Sequence, residues 1–227
     1  MINIRNFEFN AQYQIKFLNY NHLDEILYLQ NIIVENLTDP TSYYVESVQF
    51  FQKQLSIQNR SIGFFYGNQL VAYDLAAFPS WDEDNLGVDI GLKQEEFFQF
   101  AQLGPGAVHP DHRKRGLLSQ IARAHPKIVE ELGYRHICFT AAPTNYPTIK
   151  SFMDNHFLIK QLKLKFNNLY RYIFYLDTMD RFKQPKYSVR ISNTDIESQK
   201  YIMGLGFYGY SVIKKENGFD IVFGHDE

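Results

Sequence analysis

Cysteine is almost absent: Cys138 is the only one. No intrachain disulfide can form, which excludes a cross-linked secreted scaffold and fits a reducing compartment. Long apolar runs are missing as well. With no stretch of about 18 uninterrupted apolar residues, no membrane-spanning helix is expected. The first ten residues carry Arg5 and Glu8 around no apolar core, unlike a secretory signal. These absences point to a cytoplasmic protein. Excess charge of one sign is lacking too. The formal net charge of −2 leaves no basic surface broad enough for nucleic acid. His109, His112 and His125 fit no zinc spacing and only one cysteine could join them, so no metal is expected and they read as surface histidines.

What the chain has in quantity is aromatic surface. It carries 20 Phe and 16 Tyr, against one Trp. Each large apolar side chain buried is worth about 1.5–3 kcal/mol, so a core is easily supplied. Gln14 to Leu18 alternates and predicts a strand. Asn21 is placed to cap a helix carrying Leu23, Ile26, Leu27, Ile33, Val34 and Leu37. Tyr44, Val48, Phe51 and Leu55 mark a second helix. Ser61–Tyr66 and Leu70–Phe78 read as strands about a tight turn, and Ser80–Gly91 as an acidic surface loop holding Asp82, Glu83 and Asp84. Glu96–Leu103 reads as a strand that resumes at Ala107-Val108 after Gly104-Pro105-Gly106.

Arg115–Leu132 predicts a helix containing Pro126, and Arg135–Ala142 a strand. Pro147–Asn155 predicts a short helix, followed by strands Phe157–Phe166 and Leu169–Leu176. The order predicts a mixed α/β (α+β) sheet with helices on its faces. Beyond it, Asp195–Met203 reads as a helix and Phe207–Ile213 with Phe219–Phe223 as a hairpin turned at Asn217-Gly218. Asp195 to Phe207 echoes Asn145 to Phe157, without any repeat of the basic residues described next.

The chemistry-bearing segment runs from Val108 to Leu118. A strand ends, Arg113, Lys114 and Arg115 follow, and a helix begins after Gly116. N–H groups in a helix's first turn lack intrahelical partners, and the helix dipole is positive there, so a pyrophosphate is a natural ligand. Gly116 lets backbone approach a phosphate oxygen.

This segment resembles the acyl-CoA-binding motif of the GNAT superfamily of N-acetyltransferases, with Val108, Pro110, Arg113, Arg115 and Gly116 in register. A second part agrees. Asn145, Phe152, His156 and Phe157 stand where the family carries Asn, Tyr and Gly-Phe. The resemblance implies a GNAT domain over 11–178, with a mostly antiparallel sheet split into a V, and a helix-hairpin extension over 179–227 packed on it. It implies acetyl-CoA, or another acyl-CoA, as co-substrate. Pantetheine would lie against Gly106 and Val108. The pyrophosphate would sit on Arg113, Lys114, Arg115, Gly116, Leu117, Leu118 and Ser119, with Asn145 and Phe152 beside the pantetheine arm.

The activity implied is transfer of the acyl group to a primary amine by direct attack. Five departures from the pattern bear on it: Leu118 for a small residue, His112 for an aromatic, Pro105 with no N–H for the strand ladder, Phe152 for a tyrosine acid and Gln102 for a glutamate base. Tyr146 is the nearest replacement acid, ahead of Tyr170 and Tyr172. Glu96, Asp74 and His109 are the candidates for a base. The amine acceptor's walls are expected from Leu23–Leu55, Trp81–Leu92 and the extension, which could also build a homodimer. Phe152, Gln102 and Leu118 also fit a second reading, a non-catalytic acyl-CoA-binding or partner-binding module.

Overall fold

The computed structural model describes residues 2–7, 10–83, 85–180 and 182–226. Met1, Glu8 and Phe9 of the first ten residues, and Asp84 of the acidic run, lie outside them. No described helix is long and apolar enough to cross a membrane. The chain forms two compact units, one from residues 1–78 and 101–134, the other from 79–100 and 135–227.

In the first unit, strands β1 (Tyr13–Phe17), β2 (Ile62–Tyr66), β3 (Gln69–Ala77) and β4 (Phe100–Val108) pair antiparallel in that order. The periodic helices predicted near the start are α1 (Leu23–Glu35) and α2 (Val48–Leu55). Asn19, and not Asn21, makes the cap, accepting from Asn21 N at a short 3-10 turn that leads into α1. Ile26, Leu29 and Ile33 of α1 join Phe51 and Leu55 of α2 on Leu18, Phe65, Tyr73, Leu75 and Ala107. Successive strand side chains point to opposite faces. Tyr73 meets Phe51 on that side, so Asp74 faces the other, where α4 (Leu117–Glu131) packs on β3. Glu96–Gln99 is the end of a 3-10 turn, where a strand was expected. The strand is instead unbroken from Phe100, because a register shift against β3 absorbs Gly104-Pro105.

In the second unit the sheet runs β5 (His136–Ala141), β7 (Leu169–Asp177), β6 (Leu158–Lys165), β9 (Tyr208–Lys214), β10 (Phe219–His225) and β8 (Tyr187–Ser192). Helices α3 (Leu86–Asp89), α5 (Tyr146–Met153) and α6 (Ile196–Gly204) complete it. α3 falls inside the expected loop, and β8 lies in a stretch with no expected element. The aromatic surplus is used here. Phe139 contacts the rings of Phe152 (4.1 Å), Phe157 (5.3 Å) and Phe174 (4.6 Å), all of them buried.

The echo between the two helices extends through their backbone bonding, fifty residues apart. Thr148 N donates to Asn145 Oδ1 (3.2 Å), and Ser198 N to Asp195 Oδ1 (3.1 Å). Asn145 N reaches Ala142 O (2.9 Å), and Asp195 N reaches Ser192 O (3.1 Å). Phe157 N reaches Phe152 O and Phe207 N reaches Ile202 O, each at 3.2 Å. The residues before them, His156 and Gly206, both have positive φ. Strands β6 and β9 meet with Ile159 opposite Gly209, again equivalent positions. The second unit is thus two strand–helix–hairpin modules joined edge to edge.

Asp195→Ala removes the cap of α6 and should cost about 1 kcal/mol. Thermal unfolding should then shift down by roughly 2–4 °C. An unchanged midpoint would show that α6 does not need its cap.

Candidate functional site

The basic segment lies in the first unit, where β4 hands over to α4. His109 N still donates to Val71 O of β3 (2.8 Å), so the sheet is held to its last residue. A 3-10 turn, Pro110–His112, follows. The chain then turns through Lys114 (φ 59°) and Gly116 (φ 85°), left-handed backbone that favours glycine at the second position. Gly116 is the N-cap of α4 and no side chain caps that end. The first intrahelical bond is Gln120 N to Gly116 O (2.9 Å), so the N–H groups of Leu117, Leu118 and Ser119 precede the ladder. Arg113, Lys114, Arg115, Gly116 and Ser119 are exposed, Leu117 is buried and Leu118 half-buried. Arg113 Nε donates back to Val108 O (3.4 Å). The result is an exposed, cationic, uncapped helix start.

His112 anchors this turn. Its Nδ1 stands 3.1 Å from Tyr13 Oη, and its ring lies 5.3 Å from that of Tyr66. Burial, then Arg115 and His109, hold its pKa below the usual imidazole range. The imidazole thus sits neutral in an aromatic setting on β1 and β2.

Beneath β4 is a buried polar pair. Asp74 Oδ2 on β3 is 2.6 Å from His125 Nδ1 on α4, and His125 Nε2 donates to Arg60 O (2.7 Å). The carbonyl accepts only, so Nε2 carries a proton, and one further proton is shared between Nδ1 and the carboxyl. Burial raises the Asp74 pKa, against the lowering effect of His125. His125 is fully buried, not a surface histidine. Its signal was available: it falls between Ile121 and Ile128 on the apolar stripe of the helix. Gly106 lies directly over this pair. A Cβ there would come within 2.5 Å of Asp74 Oδ1. A second polar group that the sequence did not reveal lies across the sheet, where Tyr43 Oη and Tyr73 Oη are 3.0 Å apart.

The remaining predicted residues belong to the second unit. Asn145 is half-buried and spends its carbonyl oxygen on Thr148 N. Phe152 is buried against Phe139 and Phe157. Tyr146 sets its ring 5.1 Å from Phe219, with Lys214 Nζ 5.8 Å from its centroid. Tyr172 pairs opposite Ala141, the last residue of β5, and donates its hydroxyl to Gln199 Oε1 (2.6 Å). Glu96 accepts from Lys93 N (2.7 Å) and stands 3.8 Å from His136 Nε2. His136 opens β5, whereas Tyr146 follows its far end. A six-residue strand spans roughly 17 Å, so Glu96 and Tyr146 are not brought together.

No protein-family model matches the chain, and no curated protein matches its sequence. Solved structures do match. An acetyltransferase of GNAT family from Streptococcus pneumoniae is 13% identical, with TM-score 0.53, covering 72% of this chain and 97% of that one. yncA, a putative acetyltransferase from Salmonella typhimurium solved with its cofactor acetyl-CoA, is 12% identical, with TM-score 0.54, covering 78% and 100%. Ard1 from Thermoplasma volcanium is 12% identical, with TM-score 0.55, covering 75% and 100%. The chain has the GNAT fold, with a mixed, mostly antiparallel sheet and helices.

Gly106→Ala should destabilise by about 1–3 kcal/mol in urea unfolding, since the new methyl displaces the Asp74 carboxylate. Asp74→Ala should cost about 3–5 kcal/mol by stranding His125. The two losses should be less than additive in the double variant, because one removes what the other strikes. Full additivity would show that Gly106 does not rest on Asp74.

Proposed function

We propose that this chain is an acyl-CoA-dependent N-acyltransferase, with acetyl-CoA as donor and a primary amine as acceptor. The observation that carries the reading is the uncapped start of α4, presenting three backbone N–H groups beside Arg113, Lys114 and Arg115. Oriented amides and guanidinium groups are strong ligands for pyrophosphate. The Salmonella acetyltransferase of the same fold holds acetyl-CoA, and the same ligand is proposed here. For Asn145 the family resemblance implies a contact to the pantetheine arm. Its oxygen is committed to the helix cap, which leaves the amide NH2 to donate to a pantetheine carbonyl.

The chemistry needs little more than placement. A neutral amine attacks the thioester carbonyl, forming C–N. The oxyanion collapses, C–S breaks, and the thiolate leaves. The ammonium proton passes to water or a base, and the thiolate takes a proton from water. A backbone N–H near Val108 aimed at the oxyanion would supply about 2.7–4 kcal/mol. Orientation of the two reactants supplies much of the rest. Asp74 is committed to His125 and Glu96 to Lys93, so water is the simplest proton acceptor. His109 and Tyr146 stay available as groups acting through it. The reading places the protein in the cytoplasm and assigns residues 179–227 to support of the acyltransferase domain.

Phe152 favours a second reading. Buried among rings, it provides no proton donor where the family carries tyrosine. A non-catalytic module of the same fold would bind acetyl-CoA without amine-dependent release of thiol.

Arg115→Glu should weaken acetyl-CoA binding by on the order of 1.5–3 kcal/mol, or about tenfold to a hundredfold, in calorimetric titration. Unchanged affinity would remove the phosphate loop from this segment. Thiol release with any amine would exclude the non-catalytic module.

A further inference from the structure

The tyrosine pair across the sheet from α4 has a third member. Glu46 precedes α2, and its backbone is clasped by α1: Gln30 Nε2 donates to Glu46 O (3.2 Å), and Glu46 N donates to Gln30 Oε1 (3.1 Å). Tyr43 Oη donates weakly to the same Gln30 oxygen (3.4 Å), so Tyr73 supplies the proton in the 3.0 Å tyrosine–tyrosine bond. The Glu46 carboxylate is half-buried, yet among the described residues it has no hydrogen bond and no ion pair. Burial raises both phenols, Tyr43 to about 12, and the Glu46 charge adds a smaller part in each. Both hydroxyls therefore stay protonated at neutral pH, and both protons are already spent.

The cluster offers acceptors, two carboxylate oxygens and a lone pair on Tyr43 Oη, and no spare donor. A group that only donates is its complement, and an ammonium with three N–H bonds is that group. A negative charge near the start of α2 gains from the helix dipole, which is the ordinary reason for a glutamate there. That gain does not prevail, because burial still raises the Glu46 pKa. Its neighbours along the chain, Tyr44, Val45 and Val48, stand exposed, at 37%, 53% and 42%. Exposed apolar side chains in the segment that carries such a carboxylate suit an aliphatic chain ending in a cation. Tyr73 is opposite Ala107 on β4, next to Val108, so this cluster overlooks the strand end where acyl transfer is proposed.

A carboxylate holds a nitrogen in its charged form, which cannot attack a thioester. We propose that Glu46, with Tyr43, binds a second, non-reacting ammonium of the acceptor, so that the acceptor class is an aliphatic diamine or another amine bearing a distal cation. The proposal rests on the acyltransferase reading for the reacting end, and on the cluster alone for the cation.

Two measurements separate these. Titration with n-pentylamine, charged at pH 7, should move the Tyr43 ring resonances in NMR spectra. Pentanol should bind at least about tenfold more weakly. Glu46→Gln should abolish the preference while leaving acetyl-CoA affinity unchanged. Equal binding of amine and alcohol, or a preference that survives in Glu46→Gln, would overturn the cation site. In thiol-release assays 1,5-diaminopentane should exceed n-pentylamine about tenfold in kcat/KM, and Glu46→Gln should equalise them. A monoamine as good as the diamine overturns the assignment of the second nitrogen. Absence of acetyl-CoA binding in the unaltered protein would instead sink the acyltransferase reading and leave the pentylamine titration to decide the site.

Glu46→Gln should also raise the melting temperature at pH 7, by roughly 2–4 °C, since it removes an unpaired desolvated charge. The groups facing it are Tyr43 on its own segment, Tyr73 on β3 and uncharged Gln30 on α1. A carboxyl with raised folded pKa gives stability that is complete below its unfolded pKa and is lost as pH rises through the folded one. The gain from glutamine should accordingly vanish in acid. A melting temperature that falls at pH 7 would show that the carboxylate is paired, and would count against a vacant cation site.

Discussion

The first unit is organised around one constraint: β4 must end and α4 begin within a few residues, with no side chain to close the helix. Left-handed backbone at Lys114 and Gly116 makes the turn. His112 secures it to Tyr13 and Tyr66 on the first two strands. A capping serine or aspartate would satisfy the free N–H groups and would occupy the place of an anion. Glycine satisfies none of them. The helix start therefore stays open, and the three neighbouring cations give it a strong preference for negative charge.

Two acids in this unit show opposite solutions to the same problem. Asp74 is buried and shares a proton with His125, whose other nitrogen is bonded to Arg60 O, so each polar atom facing inward is matched. Gly106 can then press β4 onto the carboxylate. Glu46 is partly desolvated with no hydrogen bond or ion pair to its carboxylate among the described residues, which costs free energy. The first pair braces the strand that leads into the uncapped helix start. The second acid stands on the other face of the sheet, on the side of α1 and α2.

The sequence made the handover legible because its signals are local. Arg113, Lys114, Arg115 and Gly116 are consecutive, and Asn145 precedes its helix as caps do. The missed features are of two kinds. β8 pairs only with β10 and exposes its first four residues, so it carries little apolar signal. Glu96–Gln99 looks like strand by composition, but Glu96 bonds Lys93 N and closes a 3-10 turn. The others are long-range. Tyr43 and Tyr73, or Asp74 and His125, are thirty to fifty residues apart, and no periodicity joins them.

The paired modules of the second unit separate scaffold from chemistry. Both helices are capped by an oxygen three residues before a donor N–H, both are followed by a positive φ, and both lead into equivalent strands. Geometry is therefore held constant while one atom changes. In the first module the capping side chain is an amide, which spends an oxygen and keeps an NH2 to donate. In the second it is the carboxylate of Asp195, which has no hydrogen to give and would repel an anion. No basic turn accompanies it. The same local fold thus carries a side-chain donor in one copy and a second acceptor in the other, so the scaffold is shared while the polar group it presents is not.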